Sequence, residues 1–137
     1  MNRSVFLKTL IAVTLLGGLF SGGNVVFSQN PTKIVATFHG DPKYNMGFNW
    51  TTATSVTTGR VEIVQGHGKS HSDFTSPIVI NATRSTHLSE SVFKALATNL
   101  SPGTPYSYRV GDGANWSNIG TFTTAPNGKS EDRKSVV

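Results

Sequence analysis

The chain has 137 residues, 36% apolar and 14% charged, with no cysteine and a formal net charge of +5. That length suits one domain, and the missing cysteine excludes disulfides, thiolate nucleophiles and lipid attachment through sulfur. The charge sits at the ends: residues 29–126 carry seven Lys and Arg against five Asp and Glu, net +2, in no basic stripe with aromatics, so nucleic acid is not an expected partner.

In chain order, Arg3 and Lys8 precede the apolar run Leu10–Leu16, and Val26-Phe27-Ser28 offers a cleavage site. Residues 1–28 therefore read as a secretory signal peptide, which predicts a secreted or extracytoplasmic protein. The alternative is an uncleaved anchor. The run falls short of the roughly 20 apolar residues that span a bilayer, so no stable membrane anchor is expected.

Residues 29–126 read as one all-β domain, punctuated by Gly and Pro at short intervals, with strands near 33–38, 45–52, 59–65, 77–83, 91–98, 105–111 and 117–124. Two-residue periodicity assigns the core to Ile34, Ala36, Phe38, Met46, Phe48, Trp50, Val61, Ile63, Ile78, Ile80, Phe93, Ala95, Ala97, Leu100, Tyr106, Tyr108, Val110 and Phe122. The same alternation turns Val92 and Leu96 to the opposite face, where two apolar residues suit a covered surface.

His67 and His71, with Asp73 nearby, are the one local cluster of metal-ligand types, and they form a weak candidate site. Their Gly- and Ser-rich run lies between two strands and reads better as a solvated loop than as a prebuilt ligand shell. His39 and His87 read as surface residues in connections. No nucleophile elbow, phosphate-cradling loop, zinc-protease motif or carboxylate pair occurs, so no catalytic residue is assigned. Asn49, Asn81, Asn99 and Asn115 open N-glycosylation sequons, a pattern that arises readily by chance in a chain rich in Asn, Ser and Thr.

Leu100-Ser101-Pro102-Gly103-Thr104-Pro105-Tyr106 places a leucine and a Pro-Gly turn before a tyrosine early in a strand. It resembles the tyrosine corner of fibronectin type III and immunoglobulin-like sandwiches, with Tyr106 supplying the hydroxyl. About seven strands agree with that fold. Trp50, Leu100, Tyr106 and Phe122 are accordingly its structural residues.

Gly40-Asp41-Pro42 leading to a strand with Met46 and then Trp50-Thr51-Thr52 resembles the N-terminal domain of purple acid phosphatases. Gly120-Thr121-Phe122-Thr123-Thr124-Ala125-Pro126 is similar to the end of that domain, so the resemblance covers residues 32–126. It implies a non-catalytic, fibronectin III-like module of a secreted metallophosphoesterase. The implied partner in cis is a C-terminal phosphoesterase domain, which would hold a dinuclear centre of Fe with Fe, Zn or Mn in Gly-Asp-x-x-Tyr, Gly-Asn-His and Gly-His-x-His blocks. None of those blocks occurs here, since Gly111-Asp112-Gly113 is followed by Asn115 rather than a tyrosine, and no cofactor is expected in this chain. The alternative function is a free-standing secreted adhesion or carbohydrate-binding β-sandwich, with Tyr44 and Trp116 as stacking surfaces.

Residues 127–137 are polar and aperiodic, and Asp132–Val137 matches one reading frame of a widely used sequencing adapter. The tail is expected to be non-native, a sequencing artefact that truncates a longer reading frame. The other reading is an ordinary disordered tail.

Overall fold

The computed structural model describes residues 28–128. The expected signal segment, up to residue 27, and the tail from residue 129 lie outside the described residues. Eight strands follow in order: β1 (Thr32–Thr37), β2 (Met46–Ala53), β3 (Arg60–Gln65), β4 (Ile78–Asn81), β5 (Thr83–His87), β6 (Glu90–Ala97), β7 (Pro105–Gly111) and β8 (Gly120–Thr123). They build two four-stranded antiparallel sheets, ordered β1-β2-β6-β5 and β4-β3-β7-β8, which form a β-sandwich.

The alternation of β2 drives the packing. Met46, Phe48 and Trp50 turn inward and are at most 3% exposed, whereas Asn49 faces out. Register sets Trp50 opposite Phe93, and their rings stack at 5.4 Å. Phe48 reaches the other sheet, meeting Tyr108 at 4.8 Å and Phe122 at 6.0 Å between ring centroids. Val61, Ile63 and Val110 complete a fully buried centre, in which each large side chain contributes about 1.5–3 kcal/mol of transfer free energy.

The expected strand at 77–83 is two strands. The chain leaves the second sheet after Asn81 and joins the first at Thr83, with the Ala82 N–H bonded to the Gly59 carbonyl at 2.8 Å. His87, expected in a connection, closes β5 opposite Glu90. The strand expected at 117–124 shortens to β8, because the Ser117 N–H bonds Val110 O and its hydroxyl accepts from the Val110 N–H.

Two expected core residues lie outside the core. Phe38 is 56% exposed because β1 ends at Thr37 and the chain turns away before it. Ile78 is 47% exposed: it lies on an edge strand, and β5, which pairs only with the Glu90–Lys94 half of β6, does not extend over it. Ile34, Ala36, Ile80 and Ala95 are partly buried against the core rather than inside it.

Candidate functional site

The histidine loop between β3 and β4 folds back on the outer face of the second sheet, and its two histidines take different partners. His67 donates from Nε2 to the Phe122 carbonyl at 3.2 Å. His71 accepts at Nδ1 from Arg109 Nη1 at 3.2 Å, since a guanidinium can only donate. Asp73 turns to Ser70, accepting from its N–H at 2.6 Å and its hydroxyl at 2.8 Å. These bonds, the backbone one foremost, hold the Asp73 carboxyl below the usual carboxylate range. With one lone pair facing a cation and the carboxylate already engaged, the three do not form a ligand shell. Among the described residues no group of three or more His, Asp or Glu is placed to hold a metal.

What that loop covers is a buried ion cluster. Glu62 on β3 pairs across the sheet with Arg109 on β7, and both point away from the apolar core. Glu62 is nevertheless only 4% exposed. Arg109 donates to Glu62 Oε2 from Nε at 2.9 Å and Nη2 at 2.7 Å, while Arg60 Nη2 takes Oε1 at 2.9 Å. Aromatic rings close the cluster, with the Arg109 guanidinium 4.6 Å from the Phe74 centroid and 4.2 Å from that of Trp116. Arg60 lies over Trp116 as well, at 5.2 Å, so this indole is occupied by cations of its own chain.

At the opposite end of β7, the Ser101 N–H donates to Tyr106 Oη at 2.9 Å, tying the β6–β7 connection to the strand that follows. Leu100 is 3% exposed beside it, and Tyr106 stacks on Phe122 at 5.3 Å. Trp50 lies in the centre of the core. All four structural residues pack in one cluster. Burial raises the Tyr108 phenol above its ordinary pKa, so this hydroxyl stays protonated.

Sequence reasoning missed Glu62, Arg109 and Phe74. A signal was present: Val61-Glu62-Ile63 and Tyr108-Arg109-Val110 each set one charge, of opposite sign, between two inward apolar residues. Only the register makes them neighbours. The polar groups of this cluster are consumed in holding a loop to a sheet, and the arrangement offers neither a free base nor an activated nucleophile.

A family model described as Purple acid Phosphatase, N-terminal domain, matches residues 31–124. No curated protein matches the chain. Among solved structures the chain is similar to Astrotactin-2, described as a conserved vertebrate-specific and perforin-like membrane protein involved in neuronal development. That likeness has a TM-score of 0.46 and 13% identity, covering 70% of this chain and 22% of the other.

Proposed function

We propose that this chain, which belongs to the purple acid phosphatase N-terminal domain family, serves as the non-catalytic β-sandwich module of a secreted purple acid phosphatase-like metallophosphoesterase. The observation that carries this reading is the span of the match, which runs from Pro31 to Thr124 and so takes in all eight strands. The module would act as a scaffold that packs against a following phosphoesterase domain or shapes its substrate entrance.

The family implies a dinuclear metal centre in that catalytic domain. Among the described residues no group fits such a centre, and the one local cluster of ligand types is taken up, His71 by Arg109 and Asp73 by Ser70. The metals, whether Fe with Fe, Zn or Mn, are therefore assigned to the partner domain, where they would activate a water and stabilise both oxygens of a phosphoryl displacement. Export rests on the signal-like pattern of residues 1–28. A free-standing carbohydrate-binding role has less support, because Arg60 and Arg109 lie over the ring of Trp116.

Sequencing the source DNA beyond codon 126 tests the proposal. In-frame Gly-Asp-x-x-Tyr, Gly-Asn-His and Gly-His-x-His blocks are expected, and an in-frame stop with none beyond it would overturn it. As a biochemical companion, the purified 137-residue chain supplied with Zn, Fe or Mn should hydrolyse a phosphate monoester no faster than buffer. Metal-dependent turnover that is lost in His67→Ala would contradict the non-catalytic assignment.

A further inference from the structure

We infer that the pole where the chain leaves the sandwich, together with the adjoining outer face of the β1-β2-β6-β5 sheet, is the docking surface for the domain that follows Gly128. This rests on the function proposed above and adds where the partner sits. Three segments are clamped together at this pole. Ala125 N–H donates to Pro42 O at 3.0 Å, Gly103 N–H to Ala125 O at 2.9 Å, and Leu100 N–H to Tyr44 O at 3.0 Å. The Tyr44 hydroxyl reaches Asn127 Oδ1 at 3.4 Å. The outgoing backbone is thus fixed beside the 38–45 loop, and whatever follows Gly128 starts there.

That loop exposes the wrong residues for a wet surface. Phe38 is 56% exposed and Tyr44 40% exposed, and large apolar side chains grouped on a surface mark interaction sites. On the outer face of the β1-β2-β6-β5 sheet Val35 is 50% exposed and Leu96 42% exposed. Between Thr37 and Leu96 the register sets Gly47, whose missing side chain floors an open groove of about 500 Å³ that runs from His39 past Leu96 to Asn81. A Cβ at Gly47 would sit 3.5 Å from Thr37 O and 3.6 Å from His39 Cβ, ordinary contact distances, so the fold does not require the notch to be empty.

The cis tether selects the occupant. Ala125 bonds Pro42 in the β1–β2 loop, so the chain leaves beside the Thr37–His39 end of this groove, whereas the other end, at Ile80 and Asn81, belongs to the edge strand β4. A domain tethered in cis at this exit would meet the Phe38, Tyr44 and Val35 surface at an effective concentration set by its linker, in the millimolar range for a short flexible one, enough to populate a modest apolar interface.

The chain has no cysteine, so single cysteines report accessibility cleanly. Phe38→Cys, Leu96→Cys and, as a control on the far hairpin, Leu88→Cys are made in the 137-residue chain and in the longer protein encoded by the source gene. Maleimide labelling is followed by peptide mass spectrometry. The expected result is that positions 38 and 96 label about tenfold or more slowly in the longer protein, the protection that burial confers, while position 88 is unchanged. Equal rates at 38 and 96 in both proteins would overturn the docking surface and leave the modular function standing. A gene with no phosphoesterase segment downstream would overturn both.

Discussion

Arg109 grips a single oxygen of Glu62 with two donors, Nε at 2.9 Å and Nη2 at 2.7 Å, on the sheet face that points away from the apolar core. The pair is buried because the histidine loop and Trp116 cover it, with side-chain exposures of 12% for Arg109 and 5% for Glu62. Removing one partner of a buried pair leaves the other charge uncompensated, so Glu62→Ala should cost about 3–5 kcal/mol. Arg60, 39% exposed in its side chain, holds the other oxygen from the rim, and Arg60→Ala should cost about 1 kcal/mol or less. Denaturant melts measure both. Equal losses in the two variants would show that burial does not set the energetics here.

The bond from Ser101 N–H to Tyr106 Oη gives a second prediction. Tyr106→Phe keeps the ring on Phe122 and deletes only the acceptor, leaving a partly buried backbone N–H without a partner. A loss of about 1–3 kcal/mol is expected. Hydrogen exchange at Ser101 should speed up in the variant while exchange in β2 and β6 stays as in the parent. An unchanged midpoint would reduce this contact to packing alone.

The sequence made the centre of the sandwich legible and left its edges obscure. Met46, Phe48 and Trp50 alternate with polar residues, and strong period-two patterns survive into the fold because only one face of β2 can be dry. β5 was illegible because it lacks that pattern: Thr83–His87 is exposed at every position. Its inner face carries Arg84, opposite Phe93, which donates to Ser91 Oγ at 2.9 Å and Thr54 O at 3.0 Å. An inward charge on an edge strand opposes further pairing and erases the hydrophobic signal in the same stroke. The Glu62 cluster failed to show for a different reason. Its burial depends on a loop rich in Gly and Ser folding back on the sheet, and Phe74 alone hints at that. Phe38 was misread for a third reason: period-two alternation continues past Thr37 in the sequence, but β1 stops there and the side chain is left 56% exposed.

Leu88 opens the two-residue turn between β5 and β6 with φ of +53° and 89% exposure. An L-residue in the left-handed region costs about 1–2 kcal/mol, and this side chain recovers little of that through packing. Leu88→Gly removes the steric cost at the expense of some chain entropy, about 0.5–1 kcal/mol. The net expectation is a gain of about 0.5–1 kcal/mol, or a few degrees in Tm. A lower Tm would mean that Leu88 holds the hairpin through contacts its exposure does not suggest.

Asp112 ties the Gly111–Ser117 turn, and its titration has a definite sign. Burial raises its pKa. The hydrogen bonds from Asn115 N–H at 2.6 Å, Asn115 Nδ2 at 3.0 Å and Ala114 N–H at 2.8 Å outweigh that and hold it below the ordinary 3.8. The unfolded chain therefore binds this proton more readily than the folded one, so the stabilisation is present above about pH 4 and is lost as pH falls through the lower folded value. Asp112→Asn keeps an oxygen acceptor for both backbone N–H groups but cannot titrate. The stability difference between parent and variant should shrink on acidification below about pH 4, by less than about 1 kcal/mol because the carboxylate is largely solvated. Urea melts at pH 7, 4 and 2.5 measure it. A difference that stayed constant, or grew at low pH, would mean that the folded state does not favour the charged carboxylate, and the turn would then owe its shape to Gly111 and Gly113 alone.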